Sequence, residues 1–286
     1  MAIRIMTDSG ADLDEEDARR NHIEVLPIHI MFGDEVFLSG VTITPAEFYA
    51  KMAQSSALPR TSMVTPQRYV ESIRPYLQAG DDVIFITLSS KLSGGYESAF
   101  IAKRQLEEEN LPGRFYVVDA LTVTCGQCCL VLEAARARDG EMDAPNIVEH
   151  LEAIKTKLTL LAAVDTLRNL KQGGRLSSGS ALIATVLNIK PLMSVVDGEV
   201  VAVGKERGQA KAQASIVERA RQMKMDLTHP VVFAHAHCLD RVRELKEAFH
   251  AAFPAGGLLN APVVEMGATV GTHAGEGAVA VSFFTV

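Results

Sequence analysis

Positive charge is in short supply in this chain, which sets 28 Lys and Arg against 35 Asp and Glu over 286 residues for a net charge of −7. Such a balance argues against a nucleic-acid partner, which a basic face would have to recognise. Cysteine is scarce too: three of the four crowd into CGQCC as Cys125, Cys128 and Cys129, and Cys238 stands alone, so no disulfide framework is expected. Cys125 and Cys128 form a C-x-x-C pair, but no second pair or histidine cluster lies nearby to complete a metal site. They are expected to be small apolar residues at the start of a buried helix. No apolar stretch reaches the roughly 18 to 20 residues that cross a bilayer, and MAIRIMTDSG lacks the apolar core of a signal peptide. These absences predict a cytoplasmic protein with no integral membrane segment.

Catalytic signatures are missing as well. There is no G-x-S-x-G elbow, so nothing in the sequence supports an activated serine. GEVVAVGKER imitates a phosphate-binding Walker loop, yet five residues separate Gly198 from Gly204, and Glu206 stands where a Ser or Thr should hold Mg²⁺. With no kinase signature and no carboxylate cluster to hold Mg²⁺, no site for ATP is identifiable, and no cofactor is expected.

What the chain does contain is alternation. IRIMTDS, DDVIFITLSS and GRFYVVDA are short apolar runs, each followed by helical periodicity, which predicts βαβ units and a parallel sheet. Gly33-Asp34 between apolar runs predicts a hairpin, and Thr44 and Thr65, each ahead of a proline, predict helix N-caps. Past Lys157 the pattern changes. LTLLAAVDTL reads as a strand, Asp197-Gly198 as a tight hairpin turn, and PVVFAHAH, APVVEMG and AVAVSFFTV as strands among helices near 208–225 and 239–253. The fold class is therefore α/β: an N-terminal parallel-sheet three-layer domain over 1–157 and a C-terminal two-layer domain with a mixed sheet over 158–286.

One turn stands out. LSSKLSGGYES follows a strand with Ser89, Ser90, Ser93, Gly94 and Gly95 before a helix, so hydroxyls and free backbone N–H groups gather at a helix N-terminus beyond the carboxyl end of a strand. Phosphate and carboxylate suit such a turn equally. Thr7 to Ser9 ends the first strand in the same manner, Thr61 and Ser62 precede another helix, and all are expected to converge on one crevice. His273, between Gly271 and Gly275, is expected in a flexible loop that touches ligand.

TDSGADL, TSMVTP, LSSKLSGGYESA, VVDA, GGRLS, NIKPLMSVVDGEV and GTHAGEG occur in the order, and at roughly the spacings, of the DegV family of bacterial fatty-acid-binding proteins, which the chain resembles from Thr7 onward. The resemblance implies a six-stranded mixed sheet in the second domain and one fatty acid buried in an apolar tunnel. It implies that a separate fatty acid kinase phosphorylates the ligand, so the chain would be a carrier and not an enzyme; a monomer is expected. Thr61, Ser93, the Gly94 backbone and His273 resemble the family's carboxylate-binding set, with Arg175 and Ser62 at the pocket mouth. SALIATVLNI and PIHIM are candidates for the tunnel wall. Gly95 and Glu276 depart from the family's usual Thr and Pro. The alternative is a catalytic subunit resembling dihydroxyacetone kinase, in which His273 would bind a small ketone covalently.

Overall fold

The computed structural model describes residues 2–177 and 188–286. The first half runs β1 (Ile3–Asp8), α1 (Glu15–Arg20), β2 (Ile23–Leu26), β3 (His29–Phe32), β4 (Glu35–Leu38), α2 (Pro45–Gln54), β5 (Arg60–Ser62), α3 (Pro66–Gln78), β6 (Asp82–Thr87), α4 (Gly95–Glu108), β7 (Phe115–Asp119), α5 (Cys125–Asp139) and α6 (Ala144–Ile154). The second half runs β8 (Leu158–Ala163), α7 (Arg168–Gln172), β9 (Ile189–Val196), β10 (Glu199–Arg207), α8 (Gln209–Gln222), β11 (Met225–Asp226), β12 (Val232–His235), α9 (Leu239–Ala252), β13 (Val263–Glu265), α10 (Ala268–Ala274) and β14 (Val279–Thr285).

β1 and β6 are buried on both faces over most of their length, as strands inside a parallel sheet must be, and they pair in the all-parallel order β2-β1-β6-β7. Helices α3 and α4 cover one face and α5 and α6 the other, which makes the three layers expected. Local signals work as read. Thr44 accepts from the Glu47 N–H while Glu47 accepts from the Thr44 N–H, a capping box ahead of Pro45, and Thr65 caps α3. The Gly33 turn joins β3 to β4; β5, which the sequence did not announce, adds to the free edge of β3 with Thr61 opposite Ile30.

The second sheet is a six-strand mixed path, β10-β9-β8-β14-β12-β13, with only the last pair parallel; the two-residue β11 joins the end of β14 as a seventh strand. Its faces differ. Leu161, Ala163, Val281 and Phe283 pack in the core with residues of α8 and α9, while Leu160, Ala162, Ala280 and Phe284 turn toward the first half of the chain. Between the sheets lies α5, which packs against β1 and β6 on one side and β8, β12 and β14 on the other. A helix wedged this way must be small where the sheets approach, and Cys125, Gly126, Cys128 and Cys129 meet that demand, while the one polar side chain among them, Gln127, is buried and donates to Thr7, Asp8 and the Ile86 carbonyl. All four cysteines of the chain are free, and burial pushes the thiols of the cluster well above their ordinary range, so these are packing groups and not nucleophiles.

The second hairpin ties the halves together. Asp197 and Gly198 take φ of 50° and 84° at the turn, and the Ser89 hydroxyl donates to the Gly198 carbonyl at 2.7 Å. Among the described residues no helix is long and apolar enough to cross a membrane.

His273 requires a correction. It lies in α10 and not in a flexible loop, because its flanking glycines serve other ends: Gly275 ends the helix at φ 76°, and Gly271 lets α10 press onto α2. A Cβ at Gly271 would stand 2.6 Å from the Tyr49 hydroxyl oxygen and 2.8 Å from Phe48, and both rings are buried. Tyr49 cannot swing aside without losing its 2.8 Å hydrogen bond to the Met266 carbonyl. Gly271→Ala should therefore destabilise the protein by about 1–3 kcal/mol in urea unfolding, the usual penalty of overpacking; an unchanged midpoint would mean that α10 shifts freely.

Candidate functional site

A cavity of about 240 Å³ lies between the inner face of the second sheet and the loops that leave the first. Its floor follows from side-chain size. Neighbouring strands place Ala234, Ala280, Ala162, Met193 and Ala202 in one cross-strand row, and of these Ala280, Ala162 and Met193 face the cavity. Methyl groups stand there, where the opposite face carries Leu161, Val281 and Phe283, so the first half of the chain cannot close down on the sheet and space remains. Leu88, Leu92, Val164, Leu170 and Val270 are among the other aliphatic walls.

The six residues singled out from the sequence, Thr61, Ser62, Ser93, Gly94, Arg175 and His273, all line this one cavity. They arrive from four directions: β5 brings Thr61 and Ser62, the turn before α4 brings Ser93 and Gly94, the segment after α7 brings Arg175, and α10 brings His273. Thr61 Oγ1 and His273 Nε2 are 3.1 Å apart, while His273 Nδ1 is buried with no hydrogen-bond partner. Ser93 Oγ accepts from the Gly95 N–H at 3.2 Å, which fixes the turn and leaves the hydroxyl proton available. Arg175 donates through Nε to the Leu92 carbonyl and through Nη1 to the Gly173 carbonyl, at 3.1 and 2.6 Å. No carboxylate pairs with that guanidinium among the described residues, and no Asp, Glu or Lys lines the cavity. Arg175 is thus a half-buried cation in an apolar chamber, held by carbonyls and lacking an anion.

Other expected contributors are employed elsewhere. The Thr7 hydroxyl donates to the Ile86 carbonyl, Asp8 caps the turn that follows β1, and Ser9 bonds Thr269 and the Ile28 N–H, so the end of β1 is sealed and does not open to the cavity. Ser89 serves the hairpin tie described above, and the Ser90 N–H donates to Asp119. From PIHIM only Ile28 reaches the cavity, and Ile30 is plain core. Of SALIATVLNI, the stretch from Ser180 to Leu187 lies outside the described residues. Sequence reasoning passed over Met63, Thr124 and the alanines of β8 and β14; the alternation in LTLLAA and AVAVSFF was the available signal for the last. No group of three or more His, Cys, Asp or Glu among the described residues could hold a metal ion.

The sequence profile of the DegV family, described as uncharacterised proteins, matches residues 2–286. The chain belongs to the DegV family. A DegV domain-containing protein of Clostridium perfringens is 33% identical over 245 residues, 86% of each chain. A DegV family protein of Thermus thermophilus, described for its fatty acid binding, is 28% identical and superposes with a TM-score of 0.87 over 100% of both chains. DegV of Bacillus subtilis, described as a fatty acid binding protein, is 26% identical with a TM-score of 0.84, again over 100% of both.

In this DegV protein, burial and then the nearby Arg175 charge push the His273 pKa from 6.5 down to about 4, so the imidazole is neutral at pH 7. A group with a depressed folded pKa binds its proton more readily in the unfolded chain, so its contribution to stability is complete above pH 6.5 and is lost as pH falls toward 4. Asp8 works oppositely over an overlapping window, because burial raises its folded pKa from 3.8 to about 6. The difference between wild type and His273→Gln isolates the imidazole. Between pH 7 and pH 4 the wild type should lose up to about 3 kcal/mol more stability than the variant, measured by urea unfolding of ligand-free protein. Parallel pH curves would assign the effect to another group.

Proposed function

We propose that the cavity holds one long-chain fatty acid, with its carboxylate at the polar mouth and its tail along the aliphatic wall. The observation that carries this reading is Arg175, which among the described residues is a cation without a counter-ion, at the edge of a chamber that they line with no acidic side chain. A carboxylate leaving water for such a chamber needs several donors. Hydroxyls of Thr61 and Ser93, the Gly94 N–H at the start of α4, and His273 supply them in the binding mode proposed here, with Arg175 and Ser62 at the rim. The tail needs only length and dryness, since each buried CH₂ contributes about 0.8 kcal/mol. Fatty acid binding by the Thermus thermophilus and Bacillus subtilis relatives supports the same ligand class. A small ketone would leave most of the aliphatic wall unfilled, and nothing in the cavity favours it.

The protein is read further as a carrier and not an enzyme. A separate fatty acid kinase would bring Mg·ATP to the mouth, a carboxylate oxygen would attack the γ-phosphorus, and ADP would leave, giving an acyl phosphate. The family resemblance supports this, as does the position of Arg175, where it would balance the charge of an incoming phosphoryl group.

Organic extraction of gently purified protein should release a fatty acid in close to one-to-one amount, identified by mass spectrometry. Thr61→Ala and Ser93→Ala should each weaken rebinding by about 1–3 kcal/mol in a displacement assay, the effect of removing a donor from a charged acceptor. Recovery of polar metabolites alone, or unchanged affinity in both variants, would move the site elsewhere.

Labelled ATP tests the carrier role. No label should reach the fatty acid with this protein alone. Label should appear when a fatty acid kinase is added, and it should fall sharply with Arg175→Ala or His273→Ala while much of the fatty acid affinity remains. Labelling without any kinase would make the protein an enzyme.

A further inference from the structure

A thioether stands at the mouth. Of the methionines among the described residues, Met63 and Met223 alone are exposed, and of these two Met63 also lines the cavity. Met63 follows Ser62 at the end of β5 and reaches across to the start of α4. The Ser98 hydroxyl donates to its Sδ at 3.7 Å, a weak bond to sulfur. A Cβ at Gly94 would stand 2.5 Å from the same sulfur, so Sδ packs directly on the Gly94 backbone. The side chain is thus open to water on one side and laid on the other against the turn that carries Ser93 and Gly94. A thioether in that position is within reach of a peroxide. The cysteines are poorer targets: burial pushes the thiols of Cys125, Cys128 and Cys129 well above their ordinary range and that of Cys238 up to about 11, so none is a thiolate at pH 7.

We propose that Met63 is a site of reversible oxidation by a peroxide, and that its sulfoxide shuts the acyl site. This rests on the acyl-site reading above and adds a regulatory modification to it. With hydrogen peroxide, a lone pair of Sδ attacks one oxygen and the O–O bond breaks; the other oxygen takes the proton of the transferred one and leaves as water. Sulfur loses two electrons and keeps the oxygen as a sulfoxide, while the peroxide is reduced. A dithiol-dependent methionine sulfoxide reductase reverses the change, with a disulfide and water as the other products. The added oxygen is a strong acceptor at the start of α4, beside the Ser98 hydroxyl and the Gly94 backbone. It competes for the Gly94 N–H that the binding mode above gives to the carboxylate, sets the negative end of a dipole next to that charge, and makes an apolar stretch of wall polar.

The test treats delipidated protein with hydrogen peroxide, follows the oxygen added at each methionine by peptide mass spectrometry, and measures stearate affinity by displacement of a fluorescent fatty acid. Met63 and Met223 should be oxidised ahead of the buried methionines. Stearate affinity should fall about tenfold or more in step with the Met63 sulfoxide and return after treatment with a methionine sulfoxide reductase. The Met223→Leu variant should lose affinity as the native protein does. In Met63→Leu, whatever its starting affinity, peroxide should change that affinity by less than about twofold. The proposal is overturned if affinity holds once Met63 is oxidised, if Met63 stays reduced while buried methionines react, or if Met63→Leu loses as much as the native protein. Should Met63→Leu fail to fold or to bind, the parallel between Met63 sulfoxide and affinity in the native and Met223→Leu proteins, and its reversal by the reductase, decide. Failure of stearate to displace the probe from untreated native protein would remove the acyl-site reading and this inference with it, whereas stearate binding that ignores the state of Met63 removes the inference alone.

Discussion

The burial of α5 between two sheets is the constraint on which the rest depends. A helix that touches a sheet on both sides has little room beside it, which is why Cys125, Gly126, Cys128 and Cys129 crowd its first turns and the Gln127 among them donates its hydrogen bonds to the first sheet. Their small volumes set how closely the second sheet approaches the first. The helix also begins beside the cavity, so the backbone that starts it, at Val123 and Thr124, becomes cavity wall. Packing and site are therefore one problem: a bulkier residue in CGQCC would push the sheets apart and deform the chamber next to it.

Electrostatics complete that arrangement. The cavity offers hydroxyls, a backbone amide, a neutral imidazole and one guanidinium at its mouth, and nearly continuous aliphatic surface behind them. In such surroundings an unpaired charge is strongly disfavoured, so the unfilled demand for an anion near Arg175 is a physical statement about the ligand as well as about the protein. Burial, reinforced by the nearby guanidinium, keeps His273 uncharged and holds the mouth at a single positive charge.

Much of the architecture was legible because it rests on short-range chemistry. Thr44 with Pro45, Thr65 with Pro66, Gly33-Asp34 and Asp197-Gly198 each impose a local geometry that tertiary context did not override. That Thr61, Ser62, Ser93, Gly94, Arg175 and His273 share one cavity was legible through the family motifs that fell on them, whereas the strand-end hydroxyl turns by themselves did not tell a cavity wall from a structural tie. What escaped notice depended on contacts remote in sequence. The glycines around His273 read as flexibility because nothing local reveals that Phe48 and Tyr49 press against Gly271. Ser89 and Ser9 read as ligand donors because their partners, Gly198 and Thr269, lie more than 100 residues away. β5 has only three residues and no hairpin of its own, so it exists only because β3 presents an edge. Alanines in a strand look like any other core until the opposite face shows what size was needed.

That row of alanines has a wider consequence. Ala162 and Ala280 each project from a strand whose backbone is tied on both sides by the ladder, so exchanging one side chain for another alters the depth of the chamber without altering the position of its mouth. The floor behaves as an adjustable stop beneath a fixed gauge. A lineage could retune which molecules it accepts one methyl at a time, while the surface shown to any partner stayed the same.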